Sequence, residues 1–267
     1  MKQVIINADD FGYSAGVNAG IIKSFKEGVL SSATLMANMP GREEAIQLAK
    51  EHPTLGVGGH LVLTCGESLK NRKTITDSTG NFLNLNQYKN YRSQMDSEEI
   101  FDEWSEQIDY LLGKGLVLTH LDSHHHVHTF KENLAITKRI SEKYHLAFRN
   151  AFNLEKNLTL NYQKQITGFY DLMNYPNIRN IGIPYEQNKE NCLNEIQTVL
   201  NQLENEEVTE LMVHPAFVDE TLYNNSSFNL ARMKEVEVLC DAELKTLLEQ
   251  NGVEIINYQD VVAPTLK

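Results

Sequence analysis

The chain has 267 residues, 41% of them apolar, and a formal net charge of −12. That suffices for a sizeable core, and an acidic balance without a basic patch excludes nucleic acid or an anionic membrane surface as the main partner. Cys65, Cys192 and Cys240 lie far apart with no Cys-x-x-Cys pair, which argues against a disulfide framework or thiolate zinc site and for a reducing, cytoplasmic setting. No apolar run approaches the ~20 residues of a membrane span, and the first one is too short for a signal peptide.

Short apolar runs alternate with helical patterns. Val4–Ile6 reads as a strand, followed by a helix carrying Ile21, Ile22 and Phe25 and closed by Gly28. Ala33–Met36 is a second strand, with a helix through Ile46 and Leu48 behind it, and Val57–Leu63 is a third. Residues 64–95 form a long irregular stretch directly after His60, and loops of this length in compact domains usually serve function, so it is expected to cover a site. Asp96 with Glu99 predicts a capping box for a helix striped by Ile100, Trp104, Ile108 and Leu111. Leu116-Val117-Leu118 reads as a buried strand, and His120-Leu121-Asp122-Ser123-His124-His125-His126-Val127-His128 follows it.

The alternation repeats in the second half. A helix with Ile136, Ile140 and Tyr144 leads to a short strand at Leu146–Phe148. Residues 159–175 read as helical and Ile181–Ile183 as a weak strand. Leu193, Ile196, Leu200 and Leu203 mark a helix, Glu210–Val213 a strand, Leu230–Leu248 a helix ending at Asn251-Gly252, and Val253–Ile256 the last strand. Seven or eight strand–helix units without a composition break predict a single α/β domain over residues 1–267, barrel-like with mostly parallel strands. A doubly wound open sheet is the competing architecture.

Four polar clusters fall at the expected carboxyl ends of strands: Asp9-Asp10, His60, Asp122 to His128, and His214-Pro215. In parallel α/β folds the loops at that edge converge on one mouth, where active sites form. Two adjacent carboxylates repel unless a cation or proton sits between them, so one can bind a metal while its neighbour acts as a base. Neutral imidazole is the commonest partner for such an ion. Extended geometry would put His124, His126 and His128 on one face, whereas helical geometry would pair His124 with His128, and sequence leaves that choice open. Asp122 is placed to orient a neighbouring ring, and His214 suits a general acid. His52, His120 and His145 read as structural.

Asn7-Ala8-Asp9-Asp10-Phe11-Gly12, Gly59-His60-Leu61, Thr119 to His128, and His214-Pro215-Ala216-Phe217-Val218-Asp219 together resemble the motifs of the YdjC-like carbohydrate deacetylases, chitooligosaccharide (chitin disaccharide) deacetylases among them. The resemblance implies a distorted TIM-like barrel, a divalent metal and a homodimer. It also implies a metal-dependent hydrolase that removes the N-acetyl group from N-acetylglucosamine-containing oligosaccharides, chitobiose or its phosphate. Carried over by motif, Asp10, His60 and His124 hold the metal, Asp9 is the base and His214 the acid. Arg149 is our own addition, as the group that orients Asp9, with Asp122, His126 and His128 in supporting or substrate roles. The resemblance points to Mg2+, while two imidazoles and one carboxylate suit Zn2+ or another transition ion. A metal-dependent phosphoesterase or amidohydrolase on a similar barrel, and a non-enzymatic metal-binding module, are the rival expectations.

Overall fold

The computed structural model describes residues 1–152, 154, 166–171, 180–205 and 207–261. Its centre is β1 (Lys2–Phe11), which is buried from Val4 onward and so must be covered on both faces. Strand β2 (Ser32–Leu35) pairs with the second half of one edge of β1, and β7 (Val253–Ile256) pairs with Lys2 to Ile5. On the other side lie β6 (Val208–Val213) and then β5 (Ile166–Asp171). Beyond β2 come β3 (Gly56–Leu61) and β4 (Leu121–Ser123). Every pairing among these strands is parallel, and the sheet order β4-β3-β2-β1-β6-β5 curls into the half-barrel of a distorted TIM-like fold.

The helices are α1 (Ala15–Glu27), α2 (Arg42–Glu51), α3 (Leu85–Tyr91), α4 (Ser97–Gly113), α5 (Leu134–Tyr144), α6 (Tyr185–Gln202), α7 (Glu220–Asn225), α8 (Arg232–Leu239) and α9 (Ala242–Gln250). Their apolar stripes fill the core as the periodicity predicts. Ile100, Trp104, Ile108 and Leu111 of α4 are all buried, as are Ile136 and Ile140 of α5. Among the described residues no helix is long and apolar enough to cross a membrane.

Several expectations are corrected. Asp96 caps α4 by accepting from the Glu98 N–H, but Glu99 does not close a box; it accepts from the Lys73 and Thr74 backbone N–H groups and so ties down the preceding loop. That loop is less irregular than its composition suggests, because it contains α3, which Asn84 and Gln87 cap reciprocally. Leu116-Val117-Leu118 is not a strand: Val117 is 77% exposed and pairing begins only at Leu121. Leu146–Phe148 reduces to one parallel bridge between Phe148 and Leu121.

Within 159–175, residues 166–171 form a strand rather than a helix, their β-branched and aromatic members pairing with β6; 159–165 and 172–175 lie outside the described residues. Ile181–Ile183 is a turn before α6. The single helix expected over Leu230–Leu248 breaks at Cys240, where Asp241 caps a new one. Gly58 is required by contact: a Cβ there would lie 2.6 Å from the His120 ring and 2.8 Å from its carbonyl oxygen. Without side chains at Gly58 and Gly59, β3 can lie close against the segment leading into β4.

Candidate metal centre

At the carboxyl edge of β1 the register against β2 slips between Ala8 and Phe11, and Asp10 takes φ +68°. Successive side chains of a regular strand point to opposite faces, so without this bulge only one of the two aspartates could face the mouth. With it, both line a cavity of about 610 Å3, together with His60, His124, His125, His126 and His214. A left-handed backbone at an aspartate is unfavourable locally and persists only where its surroundings fix it.

His60 is set by its neighbours across the sheet. It pairs in register with Asp122, whose Oδ1 lies 2.6 Å from His60 Nδ1, and Thr34 donates from Oγ1 to Asp122 Oδ2 at 2.9 Å. Nδ1–H donates to Asp122, and Nε2 is the atom turned to Asp10 Oδ1 at 3.4 Å; against the downward push of burial, Asp122 and Asp10 hold the His60 imidazole well above its ordinary value. His124 Nδ1 lies 3.2 Å from the same oxygen. His60 Nε2 and Asp10 Oδ1 are both buried with no hydrogen-bond partner. Buried polar atoms are nearly always satisfied, so a ring nitrogen facing a carboxylate oxygen across this gap marks the place of a positive charge, a proton or a metal ion. The donor atoms of Asp10, His60 and His124 lie within 4.8 Å of one another, and this buried group fits a divalent metal.

Asp9, His60 and Asp122 form a second close group. Here the positive charge is already supplied. Arg149, fully buried, donates to Asp9 at 2.7 and 2.5 Å, and pairs with Asp122 at 2.9 Å and Glu210 at 2.8 Å. Burial alone would raise the Asp9 carboxyl, but the Arg149 guanidinium holds it far below the usual carboxylate range. Burial pushes Glu210 up, despite its contacts with Arg149 and the Tyr258 hydroxyl. Asp10 is likewise held well below its ordinary value against burial, chiefly by Arg232, whose Nη2 is 2.8 Å from Oδ2.

The histidine run is neither extended nor α-helical. His124–Thr129 is a 3-10 turn kinked by positive φ at His125 (56°) and His126 (54°), which sends the four rings in different directions. His124 reaches Asp10; His125 rests on Thr64, with Nδ1 to Oγ1 at 2.9 Å. His126 lines the cavity edge-on to Phe152 and Phe169, and burial drives it down to about 3. His128 points away from the cavity. Ser123 Oγ accepts from the His128 N–H and donates to Nδ1, so Nε2–H is the side turned to the Arg149 carbonyl at 3.3 Å. It thus helps fix the segment that carries Arg149. His120 is buried and stacked 3.4 Å from Tyr258, away from the site.

His214 follows β6, with Nε2 3.9 Å from Asp9 Oδ2 and Nδ1 buried without a partner. Burial pushes its imidazole down to about 4, against the pull of Asp9 and Asp10. Its backbone N–H donates to Glu235, whose carboxyl burial raises to about 8. Thr64, Cys65, Asn84, Leu85 and Asn86 of the 64–95 segment also line the cavity.

Sequence reasoning missed Arg232, Glu235, Glu210 and Thr34. Glu210, a carboxylate inside the apolar strand Val208–Val213, was a legible signal. Arg232 and Glu235 look like ordinary charges at the start of a helix, and only the packing of α8 beneath the site reveals them.

Glu235 gives a pH prediction. Its carboxyl stays protonated in the fold up to about 8 but ionises in the unfolded chain near 4.5. The stability it contributes is therefore complete below pH ~4.5 and is lost as pH rises toward 8. Glu235→Gln should flatten the decline in urea midpoint between pH 5 and 8; an equally steep decline in the variant would refute this.

The YdjC-like protein family model matches residues 3–250. A carbohydrate deacetylase of Clostridium beijerinckii is 36% identical over 265 residues, covering 97% of this chain and all of that one. One of Brevibacillus brevis is 35% identical over 262 residues, covering 97% and 99%. A crystal structure from Enterococcus faecalis, described as a cellobiose-phosphate cleavage protein, superposes with a TM-score of 0.77 at 31% identity, over 97% of this chain and 98% of its own. The matches run through β1, the histidine turn and α8 alike, and the chain belongs to the YdjC-like family.

Proposed function

We propose that this is a metal-dependent carbohydrate N-deacetylase, which hydrolyses the acetamide of an N-acetylglucosamine-containing oligosaccharide, chitobiose or its phosphate, to acetate and a free amine. The relatives named carbohydrate deacetylase support the class. The observation that carries the metal dependence is the pair of buried, unpartnered atoms, Asp10 Oδ1 and His60 Nε2, turned toward each other beside His124.

Asp10, His60 and His124 would hold the ion, and a divalent ion there supplies Lewis acidity to a water and to the acetyl carbonyl oxygen. Two nitrogens and one oxygen suit zinc or another transition ion better than the magnesium implied by resemblance. Asp9 is ionised and clamped by Arg149, so it stands ready to accept the proton shed as the water oxygen bonds to the acetyl carbon. An acid held so low does not keep that proton. His214, 3.9 Å away and neutral at rest, is the more basic acceptor. It then protonates the sugar nitrogen as the C–N bond breaks, and the fragments leave as acetate and amine.

Acetate release from chitobiose and its phosphate, assayed beside phosphate release from a generic phosphomonoester, tests this assignment. Acetate from either sugar supports it. Phosphate release without acetate would move the protein to the phosphoesterase class.

A further inference from the structure

Alternate residues of β1 and β6 turn to opposite faces of the sheet. Val4, Ile6, Ala8, Leu211 and Val213 join the main core, whereas Ile5 and Val208 belong to a separate small cluster with Ile166, Ile256, Tyr258 and Val261. Between that cluster and the metal centre lie Asn7, Asp9, Thr34, Asp122, Arg149 and Glu210, all buried and linked by hydrogen bonds and ion pairs. A barrel interior is ordinarily filled by branched apolar side chains, and replacing a buried ion pair by such residues is often neutral or stabilising. Stability alone therefore does not account for this charged column.

Asp9 Oδ2, the oxygen 3.9 Å from His214 Nε2, accepts from Arg149 Nη1 at 2.7 Å, and Oδ1 accepts from Nη2 at 2.5 Å. Asp122 touches the same Nη1 at 2.9 Å. A contact along one edge fixes the two groups relative to each other, but they could still shift together unless the guanidinium is held elsewhere. Glu210 holds its other edge: Oε1 accepts from Nε at 2.8 Å and lies equally close to Nη2. The second Glu210 oxygen accepts from the Tyr258 hydroxyl at 2.5 Å. Tyr258 comes from the far side of β1, since β6 pairs with one edge of that strand and β7, which leads to Tyr258, with the other. Its ring is fixed by the 3.4 Å stack on His120, the ring for which Gly58 must lack a side chain. Neighbouring Asn257 donates from Nδ2 to the Thr54 carbonyl at 3.3 Å and ties down the same turn.

We propose that Glu210 and Tyr258 are positioning residues of the reaction, holding the Nε edge of Arg149 so that Asp9 Oδ2 keeps its place beside His214. The inference rests on the deacetylase reading, with Asp9 as the base, and carries the support of that base down to the turn after the last strand. None of the bonds made by Glu210 or Tyr258 reaches Asp10, His60 or His124, so the hold acts on the base and not on the metal ligands.

Tyr258→Phe deletes one hydroxyl and Glu210→Leu removes the whole hold, with circular dichroism as the fold control for each. On diacetylated chitobiose both are expected to lower kcat about tenfold or more, with KM and metal content unchanged. Glu210→Gln, which keeps an oxygen for Nε, should restore most of the loss. In an Asp9→Asn background neither Tyr258→Phe nor Glu210→Leu should cost anything further, because residues that act as a unit are not additive. Wild-type kcat in both variants, or the same loss repeated in Asp9→Asn, overturns the inference. Hydrogen exchange of the Arg149 Nε–H, followed by NMR, separates the hold from the deacetylase reading. Exchange is expected to be about tenfold faster in Tyr258→Phe than in the wild type, while the indole N–H of buried Trp104, the control for global opening, stays unchanged. If no sugar yields acetate yet exchange responds in this way, the deacetylase reading falls and the hold on Arg149 stands. Equal Arg149 exchange in the two proteins overturns the hold whatever the acetate assay gives.

Discussion

Asp9→Asn is expected to lower kcat for acetate release by about 10²–10⁴-fold, the usual contribution of a positioned general base, while metal content stays at the wild-type level. The dissociation of the two readouts follows from geometry. Asp9 faces Arg149 and His214, whereas Asp10 faces His60, His124 and Arg232. The bulge at Ala8–Phe11 gives neighbouring residues different partners. Asparagine keeps an oxygen for Arg149, which retains Asp122 and Glu210 as counter-charges, so the buried guanidinium is not left unpaired. Near-normal acetate release by Asp9→Asn would remove Asp9 from the role of base.

His124→Ala is expected to weaken metal binding by more than about 100-fold, beyond the 10–100-fold typical of losing a group that merely orients a ligand. His124 isolates this effect better than His60. His60 is fully enclosed and bonded to Asp122 and Thr34, so its removal would also open a buried cavity and take a hydrogen bond from Asp122. The His124 side chain is 16% exposed and meets Asp10 at the cavity wall. Metal analysis after dialysis, with far-ultraviolet circular dichroism as the fold control, reads the result. A variant that keeps its metal would shift the ligand set away from the histidine turn.

The fold was legible wherever local pattern and tertiary demand agreed. Val4–Ile6 and the α4 stripe stand out because burial selects them, whereas Val253–Ile256 was legible from its apolar, β-branched composition although Ile255 is exposed. The pattern misled where apolar residues do not pair: Leu116-Val117-Leu118 has the composition of a strand, yet Val117 is exposed and β4 begins at Leu121. For the site, residue type and strand-end position brought Asp9-Asp10, His60, the Asp122–His128 cluster and His214 together, because the carboxyl edge of a parallel sheet gathers its loops; only the resemblance singled out His124.

The four histidines of the turn could not be separated from sequence. What divides them is a backbone reversal at His125 and His126, and positive φ at a histidine leaves no compositional mark. Arg149 followed from placement after an expected strand. Arg232 did not, since it reaches Asp10 only because α8 packs under the far side of the mouth. Glu99 illustrates the same limit: a perfect capping-box spacing was diverted to hold the loop at Thr74.

The most direct test is to strip the protein of metal with a chelator, return a divalent ion in known amounts, and follow acetate release from diacetylated chitobiose. Activity should vanish on stripping and return in proportion to the added ion, saturating at one ion per chain, with His124→Ala failing to recover. Full acetate release from the stripped protein, or recovery of His124→Ala at the same stoichiometry, would contradict a metal centre built on Asp10, His60 and His124.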